Sequence, residues 1–372
     1  MIRSVICLAM TAMLLNANAA AGELTGDEMR GRAVAFLKAR QNEDGSWTQA
    51  STVGITGLVT SALLKSGLTV DDPVITAALR QLESNIRPNG GIYASDSVHR
   101  NYETCIAMTA FAAVNSDGRH DQTIEHARNF LSELQWDEGE GLESSDPAYG
   151  GAGYGRHQRP DLCNSEFLVE ALRTSGLTGD DPEMQRVILF ISRCQNLESE
   201  HNTTEFAPLI GDGGFYYTPA AGGDSKAGVN ENGGLRSYGS MTYAGVKSLI
   251  YAGLKPGDPR IQVATEWIRR HYTLDKNPGM GAQGLYYYFH TFAKTMDAFG
   301  EDVFVDASDR RHNWRQELTA RLLELQRPNG SWVNPAGRWE ERDPHLVTAY
   351  CLLALSHCET SGSKFSEASP AE

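Results

Sequence analysis

The sequence predicts an all-α protein, an (α/α)6 toroid of six helical hairpins, with an inner ring of apolar helices inside an outer ring of amphipathic ones. Three observations predict it. A glycine-corner phrase recurs three times. A Gln-x3-Gly-x-Trp phrase occurs in full near each end. Amphipathic helical patterns alternate with helical patterns that have no polar face.

The corner phrase comes first. Ser66-Gly67-Leu68 leads to Asp71-Asp72-Pro73, Ser175-Gly176-Leu177 to Asp180-Asp181-Pro182, and Ala252-Gly253-Leu254 to Gly257-Asp258-Pro259. Glycine ends a helix by adopting the left-handed conformation. Asp72, Asp181 and Asp258 are then expected to cap the next helix, with proline at the first helical position, where a missing N–H costs nothing.

The second phrase joins the other helix ends. Gln41-Asn42-Glu43-Asp44-Gly45-Ser46-Trp47 has a near copy in Gln326-Arg327-Pro328-Asn329-Gly330-Ser331-Trp332, and degenerate Gly-Gly-aromatic versions lie between. Asp-Gly and Asn-Gly make turns, and the Trp is expected to pack back on the helix that ends at the Gln.

These phrases parse the chain into six first helices, at about 27–41, 73–86, 120–135, 182–195, 259–273 and 310–326. Six second helices follow them, at about 52–66, 102–114, 163–175, 240–252, 286–299 and 345–357. First helices such as Glu266-Trp267-Ile268-Arg269-Arg270 are charged on one side and face solvent. Second helices such as Thr348-Ala349-Tyr350-Cys351-Leu352-Leu353 are apolar nearly all round and are buried. Small residues let the inner ring close.

Around this core, residues 1–20 read as a secretory signal peptide: Arg3, an apolar run from Val5 to Leu15, and an Ala17-Asn18-Ala19 cleavage site. Residues 21–358 form the toroid domain, and 359–372, rich in Ser, Glu, Ala and Pro, form a disordered tail. A periplasmic or secreted protein is expected, and not an integral membrane protein once the leader is removed, because no later apolar run is long enough to span a bilayer. The net charge of −14 argues against a nucleic-acid partner. Five cysteines follow the leader, with no C-x-x-C, and read mostly as small core residues; one disulfide is compatible with export.

The Gln-x3-Gly-x-Trp phrase, in the wider form Gly31, Phe36-Leu37, Gln41, Gly45 and Trp47, resembles the repeat signature of squalene–hopene cyclases. The Gly-Gly-aromatic loops resemble those of protein prenyltransferase β subunits. The resemblance covers nearly the whole mature chain. It implies a central cavity with its site at the N-terminal ends of the inner helices, and an isoprenoid-type substrate there. The D-x-D-D acid motif of the cyclases is absent. The resemblance to the prenyltransferases implies zinc through D-x-C, matched by Asp161-Leu162-Cys163. No histidine opens the next inner helix, and the plainer reading has Asp161 as a helix cap, Cys163 in the core and no cofactor.

Three rim segments are more polar or aromatic than packing requires. The first carries Asp161, Asn164 and Glu166; the second Arg236, Tyr238 and Tyr243; the third Tyr287, His290 and Lys294. Asp161, His290 and Tyr287 are the candidate catalytic residues. Asn164, Glu166, Arg236, Tyr238, Tyr243, Lys294 and His345 are the candidate binding residues. A Tyr-rich wall stabilises a carbocation, stacks a sugar or simply packs the ring. The long Gly211–Gly239 loop is expected to close one mouth of the cavity or bind there. Three functions follow: an isoprenoid-class enzyme, a non-catalytic exported scaffold for lipid, glycan or protein, and a carbohydrate-active toroid. The expected partner is a hydrophobic small molecule or a glycan.

Overall fold

The computed structural model describes residues 25–47, 52–155 and 158–359. The expected leader and cleavage site, and the tail beyond 359, lie outside the described residues. Six outer helices are α1 (Gly26–Lys38), α3 (Pro73–Glu83), α5 (Asp121–Leu134), α7 (Pro182–Arg193), α9 (Pro259–His271) and α11 (Trp314–Leu325). Six inner helices alternate with them: α2 (Thr52–Lys65), α4 (Arg100–Ala113), α6 (Leu162–Thr174), α8 (Gly239–Tyr251), α10 (Leu285–Phe299) and α12 (Pro344–Ser356).

Each inner helix packs against the next inner helix, and α12 packs against α2, so the ring is closed. Small residues permit the approach. A Cβ on Gly57 of α2 would stand 2.7 Å from the Ile106 side chain of α4. A two-stranded hairpin, β1 (Val303–Val305) with β2 (Arg311–Asn313), was not expected; it forms where Val303 and Val305 lead into a turn whose N–H groups bond to the Asp306 carboxylate.

The hairpin partners differ from the expected pairing of each first helix with the inner helix that follows it. The tight packing runs from each inner helix to the outer helix after it, and α1 packs against α12 at the far end of the chain. The reason is the length of the connections. The Gly corners are short and rigid: Leu68 N bonds to Leu63 O at 3.1 Å and Leu177 N to Leu172 O at 3.1 Å, with Gly67 and Gly176 both at φ 95°. The outer-to-inner connections are long and carry the rim. The first outer helix therefore closes the last hairpin.

Two of the three corner aspartates cap as expected. Val74 N donates to Asp72 at 3.0 Å and Arg260 N to Asp258 at 2.9 Å. Asp181 does not, because its carboxylate turns back to accept from Thr178 N at 2.7 Å.

The Trp of the second phrase packs back as expected: Trp47 Nε1 donates to Leu37 O and Trp332 Nε1 to Leu322 O, both at 2.8 Å. The Gln does more than end a helix. Gln41 Nε2 donates both to Gly45 O in its own turn and to Val74 O in α3; Gln135 and Gln195 repeat this onto Glu183 O of α7 and Arg260 O of α9. The phrase is a stitch between neighbouring outer helices. The turn glycine must be glycine twice over. At Gly330 φ is +87°, and a Cβ would stand 2.4 Å from Arg32 O of α1.

Candidate functional site

The inner helices begin at one face of the ring, and there they surround a cavity of about 250 Å3. Every inner-helix residue that lines it comes from the first two turns, from Gly54 on α2 to Tyr350 on α12. Loops roof it: Tyr154 before α6, Tyr217 and Lys226 from the Gly211–Gly239 loop, and Trp339 to Glu341 before α12. Eight of its twenty lining residues are aromatic. The long loop is held by short bridges, Thr218 with Asp224 and Val229 with Leu235, and so forms part of the wall.

Tyr287 stands on this wall, and its position has a clear cause. Gly284, the residue before α10, has φ 63° and offers no capping side chain. Glu341 supplies the cap from another loop: its Oε1 accepts from Tyr286 N at 3.0 Å and Tyr287 N at 2.8 Å, and Asn334 Nδ2 donates to its Oε2 at 2.6 Å. Burial nevertheless pushes the Glu341 carboxyl up to about 7, against the pull of those donors. Glu103, on α4, is also buried at the cavity, accepts from Ala94 N at 3.0 Å, and is raised by the same cause.

Asp161 caps α6, accepting from Asn164 N at 2.9 Å and Asn164 Nδ2 at 2.8 Å. It lies behind the wall. Burial raises its carboxyl to about 6, while hydrogen bonds from Asn164 and Tyr217 oppose the rise. Asn164 is thus the partner of Asp161 and does not line the cavity.

Cys163 lines the cavity, and burial pushes its thiol up to about 12. Both Asp161 oxygens are committed to Asn164. Among the described residues no group of three or more His, Cys, Asp or Glu side chains converges as metal ligands. The donor set does not fit zinc.

Beneath the cavity lies a chain of buried charges. The Tyr287 hydroxyl donates to Glu166 Oε1 at 2.8 Å. Lys247 on α8, with no exposed surface, donates to both Glu166 and Glu170 of α6. Lys294 on α10 donates to the two Glu170 oxygens at 2.8 and 2.7 Å. Burial and the like charge of Lys294 hold the Lys247 ammonium well below its ordinary value. His290 is buried next to this chain; its Nδ1 has no partner, and burial keeps its pKa well below the ordinary range.

The remaining candidates are dispersed. Tyr238 lines the cavity. Arg236 is exposed and donates to Val229 O at 3.0 Å, because the loop turns its side chain outward. Tyr243 packs against Tyr288 and Phe292 on the side of α8 away from the chamber. His345 stacks on Phe36 of α1, 5.7 Å between centroids, so it faces the outer ring. All five cysteines of the described residues are free thiols, and Cys105, Cys194 and Cys351 are buried.

Sequence reasoning missed Tyr102, Tyr154, Tyr217, Trp339 and Tyr350, and the acids Glu103 and Glu341. Most give no local signal, since an aromatic at a helix start is usually packing. Lys247 and Glu103 did carry one: Lys247 is the lone charge of α8, and Glu103 the one acid of an α4 otherwise charged only at its first residue, Arg100.

These features define a closed α/α toroid with an aromatic-walled central cavity. Its structure is similar to that of the type II terpene cyclase MstE from Scytonema. A variant of that cyclase in complex with geranylgeranyl dihydroxybenzoate, its substrate, gives a TM-score of 0.57 at 15% identity, covering 90% of this chain and 97% of that one. A second variant, in complex with merosterolic acid A, its product, gives 0.56 at 18% identity, covering 89% and 96%. A glycosyl hydrolase of family 88 from Bacteroides vulgatus gives 0.50 at 9% identity, covering 89% and 98%. At these identities the likeness is one of fold. No family model matches the chain, and no curated protein does.

Proposed function

We propose that this is an exported protein that binds an isoprenoid-type hydrophobic molecule in its central cavity. The observation that carries the reading is the lining: an apolar chamber, eight of whose twenty wall residues are aromatic, at the N-terminal ends of the inner helices. Aromatic faces hold an alkene-rich chain by contact and favour positive charge that develops along it. The fold supports the same reading, since a protein similar in structure is a terpene cyclase.

Conversion of the ligand requires a proton donor, and no D-x-D-D supplies one. Glu341 lines the cavity, and burial keeps its carboxyl partly protonated near neutral pH. It is better placed than Asp161, which does not line the cavity. Glu341 is therefore the proposed acid, with Tyr287 beside it on the wall.

A carbohydrate-active reading draws on the similarity to a glycosyl hydrolase and on the exposed Trp339 at the mouth. One experiment separates the two. Native mass spectrometry of protein purified from its own host should release an apolar, isoprenoid-sized mass, and that mass should be lost in Tyr287→Ala. Release of an oligosaccharide would overturn the proposal. N-terminal sequencing of the secreted chain tests export.

A further inference from the structure

We propose that the buried ion-pair chain of Glu166, Lys247, Glu170 and Lys294 is a bar across the bore of the toroid, and that it limits the ligand to about ten carbons. The inference rests on the isoprenoid reading of the same cavity and adds a chain-length class to it.

The argument begins with depth. The cavity is built from the first two turns of the inner helices and goes no further. Glu166, the fifth residue of α6, lies level with the cavity floor, and Lys247, the ninth of α8, Glu170, the ninth of α6, and Lys294, the tenth of α10, lie about a turn deeper. Lys247 ties α6 to its neighbour α8, and the Glu170–Lys294 pair reaches from α6 past α8 to α10, a chord over that side of the bore. Its upper end is tied to the cavity wall, because the Tyr287 hydroxyl donates to Glu166.

Electrostatics makes the bar rigid. Each carboxylate and ammonium is neutralised by its neighbour, and Lys247 has no exposed surface. An apolar chain end that pushed into this layer would separate charges away from water, which costs far more than the contact it would gain.

Volume then sets the length. A cavity of about 150 Å3 accommodates a benzene ring, which has six carbons. On that scale the 250 Å3 here holds about ten carbons, two isoprene units, with any polar head at the mouth. The twenty-carbon geranylgeranyl group carried by the substrate of the similar terpene cyclase would not fit above the bar.

The experiment is a calorimetric titration of the full mature chain with prenyl alcohols of two, three and four isoprene units. The expected result is binding of the two-unit alcohol, with the four-unit alcohol weaker by about tenfold or more. Two triple variants accompany it. E166A/K247A/E170A removes the bar and should bring the four-unit alcohol to within about threefold of the two-unit one. E166Q/K247M/E170L keeps the bar's volume without these ion pairs and should bind the four-unit alcohol better than wild type but less well than E166A/K247A/E170A does; it also guards against misfolding of the first variant. Equal binding of all three alcohols by the wild-type protein overturns the length limit and leaves the isoprenoid reading standing. Unchanged discrimination in a folded E166A/K247A/E170A does the same. Binding of no prenyl alcohol overturns the isoprenoid reading, and this inference with it.

Discussion

The side-chain amide of Gln326, at the end of the last outer helix, donates to the carbonyl of Met29 in the first, at 2.9 Å across 297 positions of sequence. The same nitrogen also holds Gly330 O, as Gln41 holds Gly45 O in the first copy of the phrase. The stitch that links neighbouring outer helices therefore also joins the end of the ring to its beginning.

Gln326→Ala should lower stability by about 1–3 kcal/mol, because it leaves two partly buried carbonyls without their donor. Gly330→Ala should cost more, about 3 kcal/mol or above, since it adds left-handed strain to a clash with Arg32 O. Urea denaturation of both variants beside Gln41→Ala checks the order. A Gly330→Ala protein as stable as wild type would show that the α1–α11 seam can open at little cost.

The capping carboxyl of Glu341 makes a pH prediction. Its folded pKa, about 7, lies above the ordinary 4.5, so between those values the folded state holds a proton that the unfolded state releases. Its contribution is therefore complete below about 4.5 and is lost as pH rises to about 7. The wild-type protein should lose on the order of 3 kcal/mol across that window from this group. Glu341→Gln should flatten the profile, and the smaller slope that survives belongs to Asp161, raised in the same direction to about 6, together with Glu103, raised by burial as well. Thermal melts at half-unit pH steps read both slopes; parallel profiles would remove Glu341 from the account.

At the cavity mouth, Trp339 and Glu340 sit at φ 55° and 61°, two successive non-glycine residues in the left-handed region. Each pays about 1–2 kcal/mol for that conformation, against about 0.5–1 for the extra freedom glycine has when unfolded. Glu340 is exposed, so Glu340→Gly should stabilise the protein by about 0.5–1 kcal/mol. Trp339→Gly gains the same relief but loses its packing on Gly284, so its stability should change little and prenyl-alcohol binding should weaken. A lower melting temperature in Glu340→Gly would show that the strap's shape is held by contacts the glycine gives up.

The ring was legible in the sequence because its parts are local. Gly67 with Asp72, and Gln41 with Gly45 and Trp47, lie within a few residues of each other, and each set carries its own turn or cap chemistry. The inner helices are recognisable because they lack a polar face. The site was not legible to the same degree, because it is assembled across the ring. Tyr102, Tyr217, Tyr287 and Tyr350 come from four segments and meet only after closure, and no spacing rule relates them. His345 opens an inner helix just as the cavity residues do, yet its rotation turns it onto Phe36. Periodicity gives the buried character of a helix like α12 but not which of its buried sides faces the bore.

Lys247 shows most directly what the sequence withholds, because its partners lie 81 and 77 positions away. Removing it alone as Lys247→Met leaves Glu166 buried without a cation, while Glu170 keeps Lys294, and should cost about 3–5 kcal/mol. Removing Lys247 with both carboxylates, as in E166Q/K247M/E170L, should recover part of that loss, since apolar packing commonly equals a buried ion pair while Lys294 is left without Glu170. The Tyr287 hydroxyl keeps an acceptor in the amide carbonyl that replaces the Glu166 carboxylate. Guanidinium denaturation of the single and triple variants reads the difference. A single variant as stable as wild type would mean that water already reaches Lys247, and the layer beneath the cavity would then not be dry.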